Sequence, residues 1–133
     1  MNGTPVKCYS RAKDGSKKLA TNFKVKEFAS KDGADPLFVS EELVELLQKI
    51  RDHFKKPVTI TSGYRTAKHN KAVGGATYSQ HQYGTAADIK VSNVKPEDVA
   101  AYAETLLPNT GGIGIYANFV HVDVRKTKTR WKG

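Results

Sequence analysis

The 133-residue sequence predicts an α+β fold, a single domain with an antiparallel or mixed sheet and helices packed on one face. Three observations lead there. Residues 41–54 and 96–107 carry apolar side chains at helical spacing. Residues 58–62, 85–91, 113–116 and 119–125 read as strands, by alternation or by short apolar runs. The strands cluster late and the helices interrupt them without strict strand–helix alternation, which argues against a purely parallel sheet. A chain of this length buries one modest core, so residues 1–22 are expected to form an N-terminal extension or hairpin of the same unit as residues 23–133.

In chain order, the polar opening carries Asp14-Gly15, a dipeptide suited to a tight turn, and a short hairpin or edge strand is expected around it. A short apolar-spaced piece follows at 23–29, then a loop at 31–36. Ser40 is a good N-cap for the helix 41–54, where Glu41 and Glu42 complement the positive end of the dipole and Leu43, Val44, Leu46, Leu47, Ile50 and Phe54 form one stripe. Pro57 stops it. Gly63-Tyr64-Arg65 then turns the strand 58–62 into a short helix at 66–73, ended by Gly74-Gly75. Pro96 stands in the first turn of the last helix, and Ala117-Asn118 joins the two final strands.

Composition narrows the setting. Twenty-two Lys and Arg against thirteen Asp and Glu leave a net charge of +9, which attracts polyanions, among them anionic cell-wall polymers. The basic residues are dispersed and carry no helix-turn-helix, zinc-finger or RNA-binding aromatic signature, so no specific nucleic-acid partner is expected. The single Cys8 excludes an internal disulfide framework. No apolar run suits a transmembrane span and no apolar signal core opens the chain. A monomer is expected, made in a cytoplasm, released by a route not encoded here, or excised from something longer.

One stretch invites chemistry. In SQHQYGTAADIKV, His81 and Asp88 flank Gly84. On a continuous helix they would stand about 10 Å apart along the axis, too far to share an ion, and Gly84 disfavours that helix in any case. Gly84 instead bends a loop carrying His81 into a strand on which Asp88 shares a face with Ala86 and Lys90, while Ala87, Ile89 and Val91 turn to the core. In FVHVDVR the same period buries Val120, Val122 and Val124 and leaves Phe119, His121, Asp123 and Arg125 on the other face. Were these strands neighbours, facing side chains would stand about 5 Å apart, and His121, Asp88 and His81 could share one ion. Taken singly, each histidine reads as an ordinary surface or hydrogen-bonding residue. Two imidazoles and a carboxylate suit zinc with a fourth position open, the pattern of a hydrolytic rather than a structural site. His53 and His69 fall among polar helix residues and read as solvent-facing.

SGYRT at 62–66, HNKAVGGATYSQHQYGTAADI at 69–89, and GGIGIY followed by FVHVDVR within 111–125 resemble the zinc D-alanyl-D-alanine carboxypeptidases, peptidase family M15, whose fold is shared with hedgehog signalling domains. The resemblance runs from about Phe23 to Trp131 and is closest to small bacterial or phage-borne members. It implies a zinc-dependent catalytic domain acting on peptidoglycan stem peptides at the bacterial cell wall. It implies that His81, Asp88 and His121 are the metal ligands and that Arg65 lies near the metal, holding a substrate carboxylate or carbonyl oxygen. D-Ala-D-Ala carboxypeptidase activity is the first expectation, with an L-Ala-D-Glu endopeptidase of endolysin type or a non-catalytic zinc-stabilised binding module as alternatives. The chain departs from the family at the general base. Many relatives carry an acid three residues before the last histidine ligand, or a further histidine two before it; here those places hold Asn118 and Phe119. Asp123, on the face of His121, is the candidate for accepting the water proton or orienting a ligand, with Glu27 or an acid of the loop 31–35 as substitutes.

Overall fold

A computed structural model describes residues 6–133. Five strands form the principal sheet: β5 (Val58–Ser62), β6 (Ala86–Val91), β8 (Val120–Asp123), β7 (Gly112–Ile115) and β9 (Thr129–Lys132), in that spatial order. The pairs β5/β6, β6/β8 and β8/β7 are antiparallel and β7/β9 is parallel, so the sheet is mixed. Helices α2 (Glu41–Phe54) and α4 (Pro96–Leu106) bring their apolar stripes to this sheet, α2 against β6 and α4 against β7 and β8.

The local chemistry of α2 explains its bounds. Ser40 Oγ accepts from the Leu43 amide, two glutamates occupy the first turn, and Lys55 closes the helix in the left-handed conformation two residues before Pro57. Its buried residues Leu43, Val44, Leu46, Leu47 and Ile50 pack with Ala87, Ile89 and Val91 of β6, Val120 and Val122 of β8, and Val99, Ala100 and Ala103 of α4. Each fully buried Leu or Ile contributes about 1.5–3 kcal/mol over an exposed one. The alternation expected of β6 and β8 is therefore the one that fills the core.

The N-terminal part folds differently from a hairpin at Asp14-Gly15. Strand β1 (Val6–Ser10) pairs antiparallel with β4 (Pro36–Ser40), a strand the sequence reading had placed in loop and cap. Between them lies the one-turn helix α1 (Arg11–Asp14). Ser10 Oγ accepts from the Lys13 amide and Asp14 accepts from the Ser10 amide, so this turn is wound into a helix instead of reversing the chain. A short hairpin does form further on, from β2 (Lys18–Ala20) and β3 (Phe23–Lys24). The expectations for residues 1–5 lie outside the described residues. Helix α3 (Ala67–Ala72) follows β5, with Thr66 as its N-cap.

Candidate metal centre

His81 sits in a 3-10 turn, Gln80–Tyr83, which Gly84 ends at φ +73°. A Cβ at Gly84 would also overlap the Phe38 carbonyl, so both backbone conformation and close approach call for glycine where the chain bends into β6. On β6, Asp88 stands directly opposite His121 of β8. Both strands are flanked by partners on each side, which places this pair in the middle of the sheet.

Ligating atoms of His81, Asp88 and His121 lie within 4.8 Å of one another, and all three residues are buried. His81 Nε2 is 3.3 Å and His121 Nδ1 3.1 Å from the same oxygen, Asp88 Oδ1. The other ring nitrogens fix the tautomers. His81 Nδ1 donates to the Gly63 carbonyl at 2.8 Å, and His121 Nε2 donates to Asp123 Oδ2 at 2.7 Å. Each imidazole therefore turns its second nitrogen toward the same carboxylate oxygen, carrying a proton there when the ring is charged and a lone pair for a metal when it is neutral. Three such atoms, all within 4.8 Å of one another, could hold a metal ion, and two imidazoles with one carboxylate are a donor set for a divalent transition metal.

Arg65 leaves the end of β5 and borders the same group. Its Nε donates to Ser62 Oγ at 3.0 Å, Nη1 to Asn70 Oδ1 at 3.2 Å and Nη2 to Asp88 Oδ2 at 3.4 Å. Asp88 thus offers one oxygen to the imidazoles and the other to a guanidinium. Burial alone would raise its pKa, but the hydrogen bonds from His121 and His81 outweigh that and bring it to about 2.

Asp123 is placed otherwise. It is 0% exposed and stands behind His121, away from the cleft. Oδ1 accepts from the Gly112 amide, the Arg125 amide and Arg125 Nε; Oδ2 accepts from His121 Nε2 and Arg125 Nη2. Burial opposes its ionisation, yet the bonds from His121 and Arg125 hold its carboxyl well below the usual carboxylate range. His121 is shifted the opposite way: burial lowers its pKa, while the bonds to Asp123 and Asp88 raise it above 6.5 overall.

These shifts set a pH window. The depressed carboxyls contribute stability that is present above about pH 4 and lost as pH falls through their folded-state values, toward about 2 for Asp88. The raised His121 contributes stability that is full below about pH 6.5 and lost as pH rises through its folded value. Chelator-treated protein is therefore expected to have its highest melting temperature between about pH 4 and 6.5. A bound divalent ion replaces the proton on His121 and should remove the alkaline decline, which melting curves with and without added zinc will show.

The cleft over this group has a volume of about 480 Å³. Arg65 and Arg125 line it, together with an aromatic wall of Tyr116, Phe119 and Trp131. The Tyr116 and Phe119 rings stack at 4.4 Å, Trp131 Nε1 donates to the Tyr116 hydroxyl at 2.9 Å, and the indole lies 4.9 Å from the His121 ring. Sequence reasoning missed Tyr116 and Trp131. The available signal was a pair of aromatics, one of them the sole tryptophan, on either side of the histidine strand. A larger groove of about 590 Å³, between β1 and α2, holds no such ligating group.

The acids considered as substitute bases are engaged elsewhere. Glu27 accepts from the Lys24 amide, Asp32 from Thr66 Oγ1, and Asp35 from Ser10 Oγ and the Ala12 amide. Asp88 is the one acid among the described residues lining the cleft, and Asn118 does not reach it. His53 is exposed and stacks on Tyr102 at 3.6 Å, and His69 is half-buried in α3.

Comparison with known proteins places this architecture. The family described as Peptidase M15 matches residues 17–123, most of the chain and all three candidate ligands. The chain belongs to the peptidase M15 family. Two curated proteins are similar to this M15 chain over part of its length. A probable peptidoglycan L,D-endopeptidase, MepK, of Haemophilus influenzae is 36% identical over 83 residues, 57% of this chain and 43% of that protein. A zinc D-Ala-D-Ala carboxypeptidase of Streptomyces albus G is 50% identical over 34 residues, 26% of this chain and 13% of that protein. The M15 chain thus spans less than half the length of either relative. No helix among its described residues is long and apolar enough to cross a membrane.

Proposed function

We propose that this M15 chain is a zinc-dependent peptidase that hydrolyses an amide bond in peptidoglycan stem peptides. One observation carries the reading: two imidazoles, each with its far nitrogen tied to a fixed acceptor, turn their free nitrogens toward one oxygen of Asp88. His81, Asp88 and His121 would hold the metal. Zinc there supplies Lewis-acid polarisation of the scissile carbonyl and makes water nucleophilic near neutral pH.

The protein's own groups do the rest. Arg65 directs its guanidinium at the reacting end of the substrate, where it can hold a carbonyl oxygen. Asp123, saturated by five donors, keeps the proton on His121 Nε2 and the lone pair on Nδ1, which supports the orienting role for it. The aromatic wall gives an extended peptide a dry side to lie on. The basic surface would favour approach to anionic wall polymers.

Two features favour endopeptidase over carboxypeptidase activity. Arg65 and Arg125 already bond Asp88 and Asp123, so neither stands unpaired to receive a terminal carboxylate. The relative matched over the longer stretch is named an endopeptidase. The D-Ala-D-Ala reading is favoured by the denser identity of the shorter match. Incubating zinc-loaded and chelator-treated protein with purified peptidoglycan, and identifying products by mass, decides between them. New internal amino groups support the endopeptidase, and free D-alanine the carboxypeptidase. No zinc-dependent product from several wall types would overturn both and leave a metal-stabilised binding module.

A further inference from the structure

Asn70 is a buried polar side chain that none of the chemistry above uses. It lies in α3 at 3% exposure, the one buried residue of that helix. Its amide joins three parts of the cleft wall. Oδ1 accepts from Arg65 Nη1 at 3.2 Å, and Nδ2 donates to the Ala76 carbonyl at 2.7 Å and to Gln82 Oε1 at 3.2 Å. The partners dictate which way the amide faces, because a guanidinium only donates and a carbonyl only accepts. The Asn70 backbone carbonyl also receives the Gly75 amide at 2.8 Å. A Cβ at Gly75 would overlap Asn70 Oδ1 and crowd Arg65 Nη1, so the segment can lie against this amide only as glycine.

The segment so held is one lip of the cleft. Val73 and Tyr78 both line it, and at 52% and 79% exposure they are the two most exposed large apolar side chains described. They line the same cleft as the Tyr116/Phe119 wall, together with Arg65, Asp88 and Arg125. Apolar groups left in water at such a lip gain most when a bound chain covers them. One buried amide therefore touches both the lip and the guanidinium beside Asp88.

We propose that Asn70 is a positioning residue that sets the Arg65 guanidinium against Asp88 and, through the other side of the same amide, seats the 73–79 lip, coupling capture of the stem peptide to placement of its reacting group. The contribution of Arg65 to substrate handling rests on the peptidase reading above. The amide itself never touches the reacting atoms.

Two substitutions in the full chain separate the two sides of the amide. Asn70→Ala removes both. Asn70→Asp keeps an acceptor for Arg65 but sets a carboxylate oxygen against the Ala76 carbonyl. With soluble stem-peptide fragments as substrate, Asn70→Ala is expected to lower kcat by roughly tenfold to a hundredfold, the worth of a hydrogen bond to a charged group. In an Arg65→Ala background the same change should lower kcat by less than about twofold, because its effect on kcat passes through Arg65, while the rise in KM from the unseated lip persists. Asn70→Asp is expected to raise KM, with the smaller loss in kcat. Equal losses from Asn70→Ala in both backgrounds would overturn the proposal.

A second measurement needs no turnover. In 15N-labelled protein the Arg65 Nε–H, bonded to Ser62, should give a resonance that exchanges with solvent in Asn70→Ala and persists in Asn70→Asp. An unchanged resonance in Asn70→Ala would overturn the positioning role even if activity fell. Should the parent protein release nothing from peptidoglycan while this resonance behaves as stated, the peptidase reading fails and the positioning role stands.

Discussion

Replacing His121 with alanine is expected to reduce zinc-dependent amide hydrolysis by at least about a thousandfold, the several kcal/mol of charge stabilisation that a catalytic metal supplies. The side chain is central to both halves of the site. Its Nδ1 faces Asp88 Oδ1 at 3.1 Å and its Nε2 faces Asp123 at 2.7 Å. Truncation removes one of the three proposed ligands and strips Asp123 of one of its donors. Metal content by atomic absorption should fall with activity, while circular dichroism reports whether the sheet survives. A His121→Ala protein that kept stoichiometric zinc and its turnover would refute the assigned ligand set.

Asp123→Ala is expected to destabilise the fold by about 3–5 kcal/mol, the cost of leaving one member of a buried ion pair without its partner. The carboxylate is fully buried and takes two bonds from the Arg125 side chain, which loses its counter-ion in the variant. Urea denaturation measures this. Asp123→Asn is the subtler change. Its amide can still accept from Arg125, but the NH2 end then faces His121 Nε2 and donates to it. That pushes the imidazole proton to Nδ1, the atom turned toward Asp88, so zinc affinity should fall about 10–100-fold. Zinc titration against a chromophoric chelator reads the effect. Unchanged zinc affinity with slowed turnover would instead make Asp123 the proton acceptor.

The period of two in residues 119–125 was enough to place His121 and Asp123 on one face and Val120 and Val122 on the other, because successive side chains of a strand point to opposite faces, although the structure buries both. The same holds for Asp88 on β6. That β6 and β8 are neighbours was only a condition in the sequence, and pairing over thirty-odd residues is a tertiary fact; the register that sets Asp88 against His121 supplies it. Strands β4 and β9 were not legible, and the edge strand expected in the polar opening, β1, had no partner assigned to it. VKCYS is polar and mostly exposed and TRWK is half-buried, so neither shows a buried apolar alternation, and each is placed by pairing with a remote partner. Trp131 went unread for the same reason, since it reaches His121 only because β9 lies parallel to β7. Whether Asp123 serves proton transfer or orientation is likewise invisible to spacing, which shows a shared face and not the five donors that surround the carboxylate.

The division of labour between sheet and rim has a consequence for diversification. Asp88 and His121 ride on β6 and β8, two of the three interior strands of the sheet, each locked on both sides by neighbours, whereas Val73, Tyr78 and Phe119 project from connections outside the strands. Libraries randomised at 73, 78 and 116–119, with Gly75 kept, are therefore expected to change which peptide is bound while leaving the His81, Asp88 and His121 geometry in place.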